Sequence, residues 1–553
     1  MSLVTRLTFC SLPLFAFPVV AQAASDACAG LASNDPQVQL LKTLNVPAGE
    51  IPKANPGRAA LTGQALSKAA MPAHCLVEGL INPRQGSDGQ AYGIRFELRM
   101  PQDWNGRFLF QGGGGMDGVV NQALGAIPFR GASALPALNR GYAVVATDSG
   151  HAGKDSSDAR FGLDQQARLD YAYAAIGQVT RQAKQLLAEH YGRGPEHSVF
   201  MGCSNGGRAA LMAAQRFPTE FDGIIAGNPG LRLSRAAVAQ AWDTRALEAA
   251  APRTAAGEPI LAQSLTRDDM SLVSRKVLER CDALDGARDG SIDAMSQCRF
   301  DPADLQCTAD GQGQCLSAAK VQALRTVFDG AKDSQGRSLY ANWPWDAGIA
   351  SDGWRAWKLG TSQTGQPNAR NATLTPNSLG YYFMTPPNPN LTLAEVDFDQ
   401  AAAAVAETGA INDPTGTQLS SFIANGGKLI VIHGNSDPVF SANDLRHYWH
   451  RLARDNGGQQ PLGQWARLFM VPGMAHCGDG PALDNFDPLQ ALQDWQDHNT
   501  PPQQLIATGN AFPGRSRPLC PYPLEARYSG QGDMQNAESF TCSLPDTQQH
   551  AVR

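Results

Sequence analysis

Residues 202–207 read GCSNGG and place Ser204 inside a Gly-x-Ser-x-Gly pattern. An apolar run, HSVFM at 197–201, precedes this segment, and a helix-forming run, RAALMAAQRF at 208–217, follows it. A serine on a sharp turn between a strand and a helix is exposed enough to attack a substrate, and flanking glycines permit the strained backbone. We therefore predict that Ser204 is the nucleophile of a covalent mechanism. The alternative is an ordinary turn of small residues.

A serine nucleophile needs a histidine base, which an acid orients. In α/β-hydrolases the chain order is Ser, Asp or Glu, then His. Asp437 follows the apolar run LIVI and a short turn, and His476 follows ARLFMV and a glycine turn. Both positions follow the end of a predicted strand, so we predict that Ser204, Asp437 and His476 form a triad. We expect structural or surface positions for the other histidines after Ser204: His433, His447, His450, His498 and His550.

An oxyanion hole requires two backbone N–H groups. One is expected from Asn205, which follows the nucleophile, and the other from the loop after an early strand. The run RFLFQ at 107–111 predicts such a strand, and four glycines follow it. We predict Gly114 as the second donor, with Gly113 as the neighbouring candidate. The alternative is a structural glycine turn.

The first 23 residues predict a secretory signal peptide. Arg6 precedes an apolar run that Pro13 and Pro18 interrupt, and a small-residue cleavage site ends at Ala23. We expect a secreted or periplasmic protein; the alternative is a membrane anchor. The net charge is −6 and the chain has no block of Lys and Arg, so neither nucleic acid nor a membrane is an expected partner.

Cysteine placement gives a reason for the residue beside the nucleophile. Export to an oxidising compartment would leave ten cysteines after Cys10 is removed with the signal peptide. Cys203 directly precedes Ser204, and Cys477 directly follows His476. We predict a disulfide between these two cysteines that ties the turn of the nucleophile to the loop of the base. The alternative is a pair of buried free thiols.

Several apolar runs end in glycine-rich or turn-forming segments and alternate with helix-forming stretches. This pattern is typical of an α/β fold with ligands at the carboxyl ends of parallel strands. The pattern fades between about residues 230 and 415. We predict an α/β-hydrolase core with a large inserted lid domain. The boundaries are 1–23 for the signal peptide, 24–229 and 416–553 for the two parts of the core, and 230–415 for the lid.

The predicted lid contains an acidic loop, CDALDGARDGSID at 281–293. Four aspartates within thirteen residues repel one another unless water or a cation neutralises them. Calcium is bound by six to eight oxygens, including backbone carbonyls, so a structural Ca²⁺ is expected here. The alternative is a solvated acidic turn.

The chain resembles the tannase and feruloyl esterase family. The resemblance rests on CS at 203–204, D at 437 and HC at 476–477, and on the segments HGNSDPVF, VPGMAHC, RPLCPYP and ARYSGQGD. It implies a secreted serine esterase that has an α/β-hydrolase core and a lid. It also implies esters of aromatic acids as small-molecule substrates.

The resemblance further implies particular disulfides and calcium ligands. The implied disulfides are Cys28–Cys75, Cys203–Cys477, Cys281–Cys298, Cys307–Cys315 and Cys520–Cys542. The implied ligands of the lid calcium are the carboxylates of Asp282, Asp285 and Asp289 and the carbonyls of Ala287 and Ser291.

Aromatic esters need apolar walls and a few polar anchors. Trp357 and Phe383 are the predicted walls. Alignment of FMTPP at 383–387 with a similar family segment places Arg370 where it would bind a substrate carboxylate; the alternative is a surface arginine. We predict a carboxylic ester hydrolase of the tannase or feruloyl esterase type. The alternatives are a hydrolase of a terephthalate monoester and, more remotely, an inactive α/β-hydrolase fold that serves as a binding module.

Overall fold

The computed structural model describes residues 28–50, 69–308 and 314–545. The predicted signal peptide, residues 1–23, therefore lies outside the described residues. The strands are β1 Val38–Val46, β2 His74–Gln85, β3 Ala91–Pro101, β4 Arg107–Gln111, β5 Ala143–Thr147, β6 His197–Cys203, β7 Gly223–Gly227, β8 Lys428–Gly434, β9 Ala466–Val471, β10 Leu505–Ala507, β11 Arg517–Leu519, β12 Glu525–Tyr528 and β13 Phe540–Ser543.

The α-helices lie between these strands along the chain. Their bounds are α1 Gln165–Leu169, α2 Ala175–Tyr191, α3 Asn205–Arg216, α4 Leu233–Ala249, α5 Arg267–Cys281, α6 Ala318–Phe328, α7 Asp352–Lys358, α8 Arg370–Asn377, α9 Phe398–Ala404, α10 Ala406–Asn412, α11 Ser420–Ala424, α12 Ala442–Asp455, α13 Gln459–Leu462 and α14 Pro488–His498.

Nine strands form one mixed sheet in the order β1-β2-β3-β5-β4-β6-β7-β8-β9. The pairs from β1 to β3, and β3 with β5, are antiparallel. The pairs from β5 through β4, β6, β7 and β8 to β9 are parallel. The parallel strands begin and end together, so their carboxyl ends share one edge of the sheet. The order and directions are those of an α/β-hydrolase fold, which confirms the predicted fold class.

The parallel strands are buried on both faces, as expected when helices cover both sides of a sheet. Along β8, Leu429 and Val431 face one apolar cluster, whereas Ile430 and Ile432 face another. Helices α2, α3 and α12 cover the first cluster, and α14 covers the second. This packing fixes the positions of the strand ends that carry the predicted site.

Residues 228–427 join β7 to β8, which are neighbours in the sheet; we call this segment the insertion. Its helices enclose a third apolar cluster that includes Val273, Leu324, Trp354 and Val405. Phe422, near the end of the insertion, packs instead into a cluster of the sheet. The third cluster also includes residues of the core, such as Phe161 and Phe440, and the division at residues 230 and 415 remains a prediction.

The insertion contacts the loops that follow β8 and β9. Asp346 accepts hydrogen bonds from Ser436 Oγ at 2.6 Å and from the Gly473 backbone N–H at 2.8 Å. A Cβ atom at Gly348 would lie 2.7 Å from the Cβ of Ser436, so the two segments touch closely there. The insertion therefore lies over the carboxyl edge of the sheet. None of the described helices is long and apolar enough to cross a membrane.

All five expected disulfides are present. They join Cys28 to Cys75, Cys203 to Cys477, Cys281 to Cys298, Cys307 to Cys315 and Cys520 to Cys542. The Cys203–Cys477 bond spans 274 residues of sequence and is the one that joins the two parts of the core across the insertion. The other four separations are between 8 and 47 residues.

Candidate active site

Ser204 occupies a strained turn between β6 and α3. Its φ is 63° and its ψ is −125°, a conformation that L-residues rarely adopt. A Cβ atom at Gly202 would lie 2.7 Å from the Gly206 carbonyl carbon, and one at Gly206 would lie 2.6 Å from the Gly113 carbonyl oxygen. Glycine is therefore required at both positions, as the Gly-x-Ser-x-Gly pattern predicts.

The three predicted catalytic residues are in direct contact. The Ser204 hydroxyl donates to His476 Nε2 at 2.8 Å, and His476 Nδ1 donates to Asp437 Oδ2 at 2.9 Å. All three side chains are buried, with at most 6 % of their surface exposed. Asp437 follows β8, and His476 lies in the loop after β9. This is the geometry in which an imidazole can take the proton of a serine hydroxyl.

The Asp437 carboxylate is held by several donors. Oδ1 accepts from the backbone of Val439 at 2.7 Å, and Oδ2 accepts from Asn228 Nδ2 at 2.7 Å. Burial favours a higher pKa for Asp437, but the two nearby histidines, His476 and His433, and the Asn228 hydrogen bond outweigh it and lower the pKa. The carboxyl is thus held ionised, which favours a proton on Nδ1 of His476 and leaves Nε2 free to accept.

The Cys203–Cys477 disulfide connects the flanking positions of the nucleophile and the base. Its Cα atoms are 6.2 Å apart, and both cysteines are fully buried. Cys477 itself has a φ of 58°, and its carbonyl accepts a hydrogen bond from the Arg130 backbone N–H at 2.9 Å. The bond therefore limits how far the serine turn can move from the histidine loop.

The glycine loop after β4 lies against the start of α3. The Gly112 N–H donates to the Met201 carbonyl at 2.8 Å, and the Gly113 carbonyl faces Gly206. Gly114 is buried, and its carbonyl accepts from the Asp117 N–H at 3.1 Å. The loop is therefore adjacent to Asn205. The donor roles of Gly114 and Asn205 remain predictions.

Two aromatic rings contact the His476 imidazole edge-to-face. The Trp357 centroid lies 5.5 Å from it, and the Phe440 centroid lies 5.3 Å from it. Trp357 is partly exposed and comes from α7 of the insertion, whereas Phe440 follows Asp437 in the core. The predicted wall residue Trp357 thus contacts His476 of the core from within the insertion.

Arg370 stacks on the same tryptophan. Its guanidinium carbon lies 5.1 Å from the centroid of the Trp357 ring. Burial, and then the charge of Arg130, lower the pKa of Arg370. No carboxylate in the described part of the chain pairs with Arg370. The side chain is a partly desolvated cation, and the Trp357 ring lies between it and His476.

Phe383, the other predicted wall residue, lies elsewhere. Its side chain is only 2 % exposed, belongs to the apolar cluster of the insertion, and packs edge-to-face on Tyr382 at 5.0 Å. These contacts account for Phe383 as a packing residue, and its role in substrate binding stays a prediction.

The acidic loop of residues 281–293 folds around its own carboxylates. Asp282 accepts from the Gly290 N–H at 3.1 Å, and Asp285 accepts from the Ala287 N–H at 2.9 Å. Burial, together with the charges of Asp289 and Asp282, raises the pKa of Asp285 to about 7. Asp289 forms an ion pair with Arg517 of the core.

Sequence reasoning missed three residues that contact the triad or its loops. Asn228 follows β7 in the segment GNPG, Phe440 ends DPVF, and Asp346 lies in the insertion. Asn228 and Asp346 reach the site through tertiary packing, whereas Phe440 lies in the same turn as Asp437. The local signals were the nearness of Phe440 to Asp437 and the position of Asn228 immediately after a strand, at the edge where the other site residues lie.

Comparison with known proteins is consistent with this geometry. The family model described as tannase and feruloyl esterase matches residues 75–543. Mono(2-hydroxyethyl) terephthalate hydrolase of Piscinibacter sakaiensis is 40 % identical over 525 residues, which cover 87 % of this chain and 86 % of that protein. A probable feruloyl esterase B-2 of Aspergillus flavus is 30 % identical over 437 residues, covering 75 % and 77 % of the two chains.

Solved structures show the same fold. Feruloyl esterase B from Aspergillus oryzae superposes with a TM-score of 0.78 at 25 % identity, covering 94 % of this chain and all of the other. A tannin acyl hydrolase from Aspergillus niger superposes with a TM-score of 0.71 at 22 % identity, covering 94 % of each chain. The extent of these matches and the strand-turn-helix position of Ser204 lead to one assignment: the chain belongs to the tannase and feruloyl esterase family and is a carboxylic ester hydrolase.

Proposed function

We propose that this protein is a secreted serine esterase that hydrolyses esters of small aromatic carboxylic acids through an acyl-enzyme. The observation that carries the proposal is the unbroken chain of hydrogen bonds from Ser204 through His476 to Asp437. The partly exposed Trp357 ring beside the triad adds a flat apolar surface on which an aromatic acyl group could pack.

In the first half of the reaction, Ser204 Oγ attacks the ester carbonyl carbon while His476 Nε2 takes the hydroxyl proton. The carbonyl oxygen becomes an oxyanion, which the backbone N–H groups of Gly114 and Asn205 are expected to bind. Collapse of the tetrahedral intermediate breaks the bond to the alcohol oxygen, and His476 returns the proton to the leaving alcohol. Asp437 orients the imidazole and stabilises its positive charge.

In the second half, water attacks the acyl-enzyme. His476 takes one proton of the water as the new carbon–oxygen bond forms. The second tetrahedral intermediate then releases Ser204, which recovers its proton from His476, and the aromatic acid leaves. The inward-facing Asp437 keeps its charge throughout, since its donors favour the ionised form.

Ser204→Ala tests the proposal. The variant is expected to fold with an unchanged melting temperature and to lose at least about a thousandfold in kcat on an aryl benzoate ester. A serine-directed phosphonate should label wild-type protein at Ser204, as located by peptide mass mapping. A phosphonate adduct on another residue would overturn the assignment. A folded wild-type protein that hydrolyses no aryl ester would instead favour the inactive binding module.

A terephthalate monoester is the second candidate substrate. The specific observation in its favour is Arg370, a partly buried cation that stacks on Trp357 and has no carboxylate partner in the described ranges. A free carboxylate at the far end of the acyl ring of the substrate would pair with Arg370. Gallate and ferulate esters carry phenolic hydroxyls there instead. Rates on terephthalate, gallate and ferulate esters, compared directly, separate these candidates.

A structural Ca²⁺ in the acidic loop is a further part of the proposal. The ligands would be the carboxylates and carbonyls named from the sequence, from Asp282 to Ser291. The raised pKa of Asp285 supports it, because a buried carboxyl with other carboxylates nearby needs a proton or a cation. In the described part of the chain no three acidic, histidine or cysteine side chains are grouped closely enough to hold a metal, so the proposed site depends on the backbone carbonyls as well. Bound Ca²⁺ would neutralise and order this loop; it takes no part in ester hydrolysis.

Secretion is supported by the five disulfides, which persist in oxidising compartments. The test is expression of the full chain in a Gram-negative host, followed by fractionation and N-terminal sequencing. A mature protein that begins at Ala24 outside the cytoplasm is the expected result. An uncleaved N-terminus in the cytoplasm would contradict the secretion proposal.

A further inference from the structure

A buried acid sits beneath the glycine loop and is not part of the triad. Asp117 has a φ of 47° and is 5 % exposed. Its Oδ1 accepts from Asn205 Nδ2 at 2.8 Å, and its Oδ2 accepts from the Ser149 hydroxyl. Its own backbone N–H donates to the Gly114 carbonyl at 3.1 Å. One residue thus links the glycine loop to the residue that follows the nucleophile.

The other side of Asn205 is held by Arg208. Arg208 Nε donates to Asn205 Oδ1 at 2.6 Å, and its remaining nitrogens donate to the carbonyls of Tyr171, Ala172 and Asn412. Asn412 belongs to α10 of the insertion. Both polar ends of the Asn205 amide are therefore fixed, one by an acid and one by a cation.

The contacts close into a ring. The Tyr171 hydroxyl donates to the Gly115 carbonyl at 3.0 Å, and the Arg208 guanidinium lies over the Tyr171 ring at 5.0 Å. Gly115 is bonded in sequence to Gly114, whose carbonyl accepts from Asp117, and Asp117 in turn binds Asn205, which binds Arg208. A closed ring of hydrogen bonds restricts the glycine loop, whose backbone would otherwise be freer than that of a loop made of other residues.

Such an arrangement is costly. Burial raises the pKa of Asp117, against the hydrogen bonds from Ser149 and Asn205, which lower it. The left-handed backbone of a non-glycine residue adds strain. Neither cost is needed to close a turn, since a glycine at position 117 would close it without either.

We propose that Asp117 and Arg208 are positioning residues. They hold the backbone N–H groups of Asn205 and Gly114 at the positions from which both can donate to the developing oxyanion. This inference rests on the proposed esterase function of the same site. Neither side chain touches the reacting atoms; both act through the Asn205 amide. Because the contribution of an oxyanion hole depends on preorganised donors, loosening the ring should affect the transition state more than substrate binding.

The test uses Asp117→Ala, Asn205→Ala and the double variant on an aryl benzoate ester. Asp117→Ala should lower kcat about 10- to 100-fold, the scale of a displacement of about 1 Å, and change KM less than about threefold. Asn205→Ala keeps the backbone N–H but removes the link, so the double variant should be no slower than the worse single variant. Asp117→Asn, which keeps one acceptor, should recover part of the rate.

Asp222→Ala is the matched control. Asp222 also ties two backbone segments, accepting from the Ser198 N–H at 2.8 Å, but it lies before β7 at the opposite end of the sheet. It should lower the melting temperature and leave kcat unchanged. An unchanged kcat in Asp117→Ala, or single effects that multiply in the double variant, would overturn the proposal.

Amide hydrogen exchange keeps the test independent of turnover. Asp117→Asn, the mildest variant, should exchange the amides of residues 112–118 faster than wild type does, whereas Asp222→Ala should not. Unchanged exchange in Asp117→Asn, together with an unchanged kcat, would also overturn the positioning role. If Ser204→Ala hydrolysed the ester as fast as wild type, the esterase mechanism would fail, while the exchange comparison would still decide whether Asp117 holds the loop.

Discussion

Replacement of Arg370 by alanine is the most informative change for substrate choice. The guanidinium is partly buried, stacks on Trp357 and has no acidic partner in the described ranges, so its charge is poorly compensated in the free protein. A carboxylate on the substrate would form a charge-assisted, bidentate contact, which contributes about 1.5–3 kcal/mol. That free energy corresponds to about a 10- to 100-fold change in kcat/KM.

The assay compares two substrates that differ only at the far end of the acyl ring. One is a terephthalate monoester, and the other is the benzoate ester of the same alcohol. Arg370→Ala should lower kcat/KM for the first by about 10- to 100-fold and leave the second nearly unchanged. Arg370→Lys keeps the charge but loses the planar pair of donors, so it should recover only part of the rate.

Arg216→Ala controls for the general loss of a stacked arginine. Arg216 lies over the Tyr173 ring at 4.2 Å, but it is at the last position of α3, away from Ser204. It should alter neither rate. Equal losses on both substrates in Arg370→Ala, or no loss on either, would refute the carboxylate role and favour phenolic esters.

Three further predictions concern the disulfide, the metal and a buried acid. The double variant Cys203→Ala, Cys477→Ala should keep its far-UV circular dichroism and lose up to about a hundredfold in kcat, because the serine and histidine loops can then move apart by about 1 Å. A wild-type kcat/KM in this variant would contradict the positional role of the disulfide. Chelation should lower the melting temperature, and Ca²⁺ but not Mg²⁺ should restore it; an unchanged curve and no metal by elemental analysis would exclude the site. Burial raises the pKa of Asp148 to about 8, so the folded protein retains a proton that the unfolded chain releases and stability falls as pH rises towards 8. His151, whose pKa burial lowers to about 4, acts in the opposite direction only up to about pH 6.5. Asp148→Asn should therefore flatten the fall in urea midpoint between about pH 6.5 and 8; an equally steep fall would contradict this.

The sequence predicts the parallel part of the fold well because each strand there is a short apolar run that ends in a turn. The runs before the glycine loop, before Ser204 and before Asp437 become β4, β6 and β8. The antiparallel strands β1 to β3 were not predicted. Their sequences mix polar and apolar residues. In β1 exposed positions occur on both sides of the strand and include Leu41 and Leu44, so the apolar residues do not alternate.

At the site, the sequence predicts the residues that sit on strand ends and not those that arrive by packing. Ser204, Asp437 and His476 follow recognisable strands, so their order suffices to place them together. Asn228 contacts Asp437 because β7 and β8 are neighbours in the sheet, and Phe440 contacts His476 because β8 and β9 are neighbours, which is a property of topology. Phe383 was selected for its aromatic ring alone, and hydrophobicity serves a core as well as a pocket.

The insertion leaves the core at the end of β7 and returns at the start of the adjacent β8. The sheet therefore needs no change to accommodate an insertion of another length or sequence. The predicted catalytic residues lie in the segments before and after it, whereas Trp357 and Arg370, which would contact the acyl group, lie within it. Substrate range and catalytic power can thus change separately.

Exchange of residues 228–427 between relatives needs only two junctions in the chain and would transfer substrate selectivity from one protein to the other. The exchange would have to preserve a few points of attachment: the Asn228 contact with Asp437, the Asp346 contacts with Ser436 and Gly473, and the Asn412 carbonyl that Arg208 binds. A chimaera that loses these junctions would retain its nucleophile and lose the alignment around it. The junctions, more than the length of the exchanged segment, set the limit on how freely such enzymes can diversify.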